Sequence, residues 1–163
     1  MKKLAPFLLL AFLGYSCTSG TSQEKETEQA ATQETALNET ELSVKAGLEM
    51  LQANCYACHN PNSESHDAML APPLAGIKNR YKNTYSTRDE FIAAVSSFVS
   101  MPTEEKALMK GPVRRFGLMP KPALSDSLQI RALVAFIYDN PIETPEWFAE
   151  HYEEEHGEPW KEQ

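Results

Sequence analysis

Five consecutive residues constrain this chain more than any other feature: Cys55-Tyr56-Ala57-Cys58-His59. Residues three and four apart on a helical turn share a face, so two thiols and an imidazole project together. This is the attachment signature of a c-type haem. Two cysteines reach the two vinyl groups of one porphyrin, and the next residue aims its imidazole at the iron from the same side. Two other chemistries use paired cysteines. A zinc site could join Cys55 and Cys58 to His59 and His66, but structural zinc usually takes a second, separated ligand pair, and no second cysteine pair exists. A redox dithiol would sit in a βαβ unit, and that pattern is missing. The predicted cofactor is one covalently bound haem with its iron.

The N-terminus reads as an export signal over residues 1–16. Met1-Lys2-Lys3 is positive, Leu4 to Leu13 is apolar apart from Pro6, and small Gly14 and Ser16 precede Cys17. The apolar run is too short for a membrane span, which needs about 20 residues. Cleavage before Cys17 would make it the first residue, where it is similar to the lipid-modified cysteine of bacterial lipoproteins. Gly14 and Tyr15 depart from that pattern; ordinary secretion leaves Cys17 unmodified. Residues 17–42, rich in Thr, Ser, Gln, Glu and Ala, cannot bury enough surface to offset ordering entropy. They read as a flexible tether with a reach of about 25–30 Å.

The spacing predicts helices and no strand. Val44, Gly47, Leu48 and Leu51 recur at helical period from a cap at Ser43. Thr87 and Glu90 form a capping-box pattern before Phe91, Ile92, Val95, Phe98 and Val99, and Pro102 ends that helix. A short helix is predicted over 103–110, stopped by Gly111. Another spans 126–139 from a cap at Ser125, with Ile130, Leu133, Val134 and Ile137 on one side. A last one starts near Pro145. Loops are expected at 60–86 and 111–124. So much irregular chain leaves a thin core, which a large flat apolar cofactor would fill.

From these residues the chain resembles the class I, monohaem, cytochrome c family over roughly 43–140. Gly47 stands eight residues before Cys55, as in the family's first helix, where the glycine lets the last helix cross closely. Ala71-Pro72-Pro73-Leu74-Ala75-Gly76 is similar to the family's G-P-x-L-x-G segment, with Ala71 replacing the leading glycine. The resemblance implies that the Pro72 carbonyl accepts a hydrogen bond from the haem-ligand imidazole, His59. Gly117-Leu118-Met119-Pro120 resembles the family's Met-Pro loop, which implies Met119 as the sixth iron ligand. The implied fold is all-α: a small cytochrome c-like helical domain over 43–140, wrapped around one covalently attached haem, followed by an acidic extension over 141–163.

Other donors compete with Met119. Met101 also precedes a proline, Met109 lies in the expected short helix, and Met69 is close to His59; methionine is often core filler. His66, His151 and His156 read as solvated. Arg114 and Arg115 could pair with haem propionates, and Tyr81 and Tyr85 could meet the haem edge.

The formal net charge of −8 argues against nucleic-acid binding. Residues 60–131 nonetheless hold ten Lys/Arg against seven Asp/Glu, while from Asp139 onward there are nine acids and one lysine. A ring of Lys78, Lys82, Lys106, Lys110 and Lys121 about the haem edge would meet an acidic partner. The tail aromatics Trp147, Phe148, Tyr152 and Trp160 either wrap back or dock a partner. The expected function is electron transfer without catalysis, on the periplasmic side of a bacterial membrane; the family resemblance implies a shuttle between a quinol-oxidising complex and a terminal oxidase or reductase. A single C-x-x-C-H excludes a dihaem peroxidase. A monohaem subunit of a larger oxidoreductase, or a gas sensor with an open sixth site, remains as an alternative.

Overall fold

The computed structural model describes residues 43–162. The export segment, Cys17 and the tether lie outside the described residues. Those described fall in one unit, Thr40–Gln163, and are helical, with no strand among them. Residues 43–54 form α1. A 3-10 turn at His66–Ala68 precedes α2 (Leu74–Lys82), α3 (Arg88–Ser100), α4 (Lys110–Phe116), α5 (Ser127–Asp139) and α6 (Phe148–His156).

Local chemistry fixes the two longest of these. At α3 the capping box closes in both directions. Thr87 Oγ1 accepts from Glu90 N at 3.2 Å, and Glu90 Oε2 accepts from Thr87 N at 3.1 Å. At α5 the cap is Asp126, one residue beyond the expected Ser125. Its carboxylate accepts from Leu128 N at 2.7 Å and Gln129 N at 3.1 Å, a placement the helix dipole also favours.

Two helices occupy segments read from the sequence as loops. Pro73 precedes α2, and Pro112 lies in the first turn of α4. A proline there gives up no intrahelical bond and has φ preset for the helix. Gly111 is thus inside α4 rather than a stop, and the predicted 103–110 helix does not form: residues 104–106 make a turn, and only Lys110 is helical, as the first residue of α4. Gly117, at φ +82°, ends α4 instead.

The helices bury two apolar clusters. Leu51, Leu74, Ala75, Leu133, Ile137, Ile142 and Phe148 make one; Tyr81, Phe91, Ile92, Val95, Ile130 and Val134 make the other. Both draw on α5, whose main helix partner is α3. Arg88 clamps that pair, meeting Asp139 in a bidentate ion pair at 2.9 and 2.6 Å. Across α1, a Cβ added to Gly47 would lie 2.2 Å from Phe136 Cδ2, so the close crossing needs glycine.

The extension wraps back. Phe148 is buried in the first cluster and stands 3.4 Å from a Cβ built on Gly76. Trp147 Nε1 donates to the Ser63 carbonyl at 2.8 Å, and Asn79 Nδ2 donates to Tyr152 Oη at 3.1 Å. Trp160 packs edge-on against Phe148 at 4.8 Å between centroids.

Candidate functional site

α1 runs into the cysteine motif without a break. Cys55 N donates to Leu51 O at 2.9 Å, Cys58 N to Cys55 O at 3.2 Å, and His59 N to Cys55 O at 2.9 Å. Cys55, Cys58 and His59 therefore sit at i, i+3 and i+4 of one continued turn, on one side. All three line a cavity of about 250 Å³ between the two apolar clusters. Both thiols are free. Burial, then the neighbouring Cys58, pushes the Cys55 thiol up to about 11. It stays protonated at neutral pH, unlike the low-pKa cysteine of a dithiol oxidoreductase. Among the described residues no three His, Cys, Asp or Glu side chains are grouped to hold a metal ion. His66, the fourth zinc candidate, stacks on His151 at 4.1 Å between centroids instead.

His59 Nδ1 donates to the Pro72 carbonyl at 2.6 Å. The bond assigns the proton to Nδ1 and leaves Nε2 with its lone pair. Burial lowers the His59 pKa, opposed by that hydrogen bond, so the imidazole is neutral and able to coordinate.

Residues 107–122 build a second wall of the cavity, to which Met119, Pro120, Phe116 and Met109 contribute. The wall follows from α4 and its glycine terminus: Gly117 adopts a φ of +82°, open to glycine, and turns the chain into the Met119 segment. Met109 also reaches the cavity, because α4 begins one residue later than it and not before. Met101, expected to pack, is 58% exposed at the end of α3 and does not line the cavity; Met69 is buried elsewhere.

The other candidates separate. Tyr81 is buried in the cavity wall, and Tyr85 stacks on it at 5.9 Å. Neither Arg114 nor Arg115 lines the cavity; Arg115 Nη2 pairs with Asp67 Oδ1 at 2.6 Å. His66 and His151 are not simply solvated: His66 lies tilted against Trp147 and His151 meets that ring edge-on, with Phe116 edge-on to His66. His156 packs on Tyr152 at 4.2 Å.

Of the lysines expected about the haem edge, Lys106, Lys110 and Lys121 are exposed and Lys82 is half-buried, while Lys78 departs from the expectation. Lys78 is buried, with Nζ donating to the Asn140 carbonyl at 2.8 Å. Lys82 lies 4.2 Å over the Tyr138 ring, Lys106 Nζ donates to Ser97 O at 3.2 Å, and Lys110 Nζ to Glu104 O.

The Cytochrome c family model matches residues 44–140. The chain belongs to the cytochrome c family, which assigns it a covalently bound haem c with iron and a haem-based electron-transfer role. An uncharacterized protein of Aquifex aeolicus (strain VF5) is 27% identical over 113 residues, covering 60% of this chain and 74% of that protein. No solved structure matches the chain. The residues present fit the group: paired thiols on one side of a turn, a neutral imidazole beside them, and a largely apolar cavity lined from both clusters. Cytochrome c domains are typically exported from the cytoplasm. No helix among the described residues is long and apolar enough to cross a membrane.

Proposed function

We propose that the chain is a monohaem class I cytochrome c that carries single electrons, with His59 and Met119 as the iron ligands. Cys55 and Cys58 hold the haem covalently, and the haem supplies reversible one-electron chemistry when bound. The observation that carries the reading is the 2.6 Å bond from His59 Nδ1 to the Pro72 carbonyl, made by a residue whose neighbours in sequence are the attachment thiols. It fixes the tautomer, orients the ring and strengthens Nε2 as a donor. Met119 offers a soft, neutral thioether, which favours ferrous iron and raises the potential. It also closes the sixth site to oxygen and substrates.

The surrounding chain keeps the site rigid. Leu74, Leu133 and Ile137 exclude water, and the extension braces them from outside through Phe148. A rigid, dry site suits a carrier, which reorganises little between its two states. The physiological setting belongs to the same proposal. The protein is exported, held at a bacterial membrane through lipidated Cys17 and the 17–42 tether, and exchanges electrons with a quinol-oxidising complex and a terminal oxidase or reductase of a respiratory chain.

Optical spectra test this, recorded oxidised, reduced, and reduced with carbon monoxide, for the matured protein and Met119→Ala. The reading expects a low-spin spectrum with the weak far-red methionine–ferric band, lost in Met119→Ala, and no carbon monoxide binding by the unsubstituted protein. A high-spin protein that binds carbon monoxide would move the assignment to a sensor or an enzyme subunit.

A further inference from the structure

One charged side chain stands in the cavity wall. α2 turns Leu74, Ile77, Lys78 and Tyr81 toward the cavity, the i, i+3, i+4, i+7 stripe of a core-facing helix. Three of the four are apolar or aromatic. Lys78 is only 5% exposed, and no Arg, Asp or Glu is among the described residues lining the cavity.

Lysine is almost never fully buried unless paired. Lys78 Nζ donates to the carbonyl of Asn140, the cap residue at the C-terminal end of α5, where the helix dipole is negative. A carbonyl is a partial charge, and it takes one of three N–H donors. Three charged groups bear on the ammonium: Lys82 on its own helix, Asp139 on α5 and Glu162 in the extension. Lys82 repels it. Asp139 is held by Arg88 in a bidentate pair, and Glu162 accepts from Ile142 N at 3.1 Å. Neither carboxylate is given over to Lys78, so a side chain of the cavity wall carries an incompletely neutralised cation.

We propose that Lys78 sets the reduction potential of this cytochrome: its buried ammonium, in the wall of the haem cavity, favours the ferrous over the ferric state. The inference rests on the haem reading above. Oxidation transfers one electron to an acceptor redox protein, or to an electrode, and leaves one more positive charge in the cavity; no bond forms or breaks. A nearby cation opposes that gain, and far more in a low-dielectric interior than in water. Lys78 is a positioning and tuning residue, not a ligand.

The test is the midpoint potential of the haem-loaded protein by spectroelectrochemistry, for the unsubstituted chain, Lys78→Gln, Lys78→Met and Lys78→Arg. The expected result is a downward shift in the Gln and Met variants, with Arg holding the original value. Potentials equal in all four, with only stability reduced in Gln and Met, would overturn the proposal and leave Lys78 as a cap for α5. The unsubstituted protein gives an independent readout if a variant fails to fold. Its potential is expected to fall as pH rises toward the ordinary lysine value of about 10.4, because burial brings the Lys78 pKa below that value and the ammonium loses its proton on the way, while the far-red band persists. A flat profile over that range overturns the proposal. Loss of His/Met ligation would show instead as a missing far-red band at neutral pH, which overturns the ligand reading and not the electrostatic one.

Discussion

Gly47→Ala isolates the crossing of α1 and α5. A Cβ at this position would meet Phe136 Cδ2 at 2.2 Å and Cε2 and Cγ at 2.7 Å. Reaching ordinary contact at 3.4 Å requires a shift of about 1.2 Å. Because Cγ lies on the ring's own axis, spinning the ring leaves that contact at 2.7 Å; Phe136 must change rotamer about Cα–Cβ or the helices must part. Overpacking of this kind costs about 1–3 kcal/mol, and the gain in helix propensity returns about 1 kcal/mol. The net effect is a loss of up to about 2 kcal/mol, against a total stability of about 5–15 kcal/mol. For a domain of this size it lowers Tm by up to roughly 10 °C. Thermal unfolding of the haem-loaded protein by circular dichroism measures it, in a cycle with Phe136→Ala. With the ring gone, only the propensity gain survives, so Gly47→Ala is expected to stabilise that background. Equal destabilisation in both backgrounds would refute the steric account.

Phe148→Ala empties a buried site shared with Leu51 and Leu74 and is expected to cost about 3–5 kcal/mol by denaturant unfolding; a loss below about 1 kcal/mol would mean the extension does not brace the domain. Trp147→Phe keeps the ring but removes the donor to Ser63, costing about 1 kcal/mol in the same assay. Burial, then His151 and Arg115, lower the His66 pKa, so the unfolded chain takes up that proton first. Stability is full above the ordinary histidine value of about 6.5 and lost as pH falls through the lower folded value. His66→Gln is expected to flatten this part of the pH–stability curve, and an unchanged slope would dismiss it. Hydrogen bonding from Arg88 holds the Asp139 carboxyl below the usual range, so that contribution is present above the ordinary aspartate value and vanishes at lower pH. Arg88→Gln should remove the dependence without altering the optical spectrum.

What could be read from the sequence were features with local causes. The motif at Cys55 to His59, the capping box at Thr87 and Glu90, and the glycine eight residues before Cys55 each act within a turn or at one crossing. α2 and α4 escaped because their segments read as loops, the second beginning at a stop placed on Gly111; Pro73 and Pro112 stand at helix starts, which tolerate proline. Lys78 escaped because its charge marks it as a surface residue, while its position in the 74, 77, 78, 81 stripe places it inside. The extension was legible in part, as a helix from near Pro145 and aromatics that either wrap back or dock a partner; the choice was open because Trp147, Phe148, Tyr152 and Trp160 lie among acids, which mask the apolar face that they form together. The His66–His151 stack joins residues 85 positions apart in sequence, and no spacing rule reaches that far.

The most direct measurement is the intact mass of the protein produced with and without the c-type haem maturation machinery, alongside Cys55→Ser, Cys58→Ser and the double variant. The account predicts an added mass of one haem, surviving denaturation, only when the machinery is present, and none in the double variant. A protein that folds without haem and retains stoichiometric zinc, or that forms a Cys55–Cys58 disulfide under the same maturation, would contradict it.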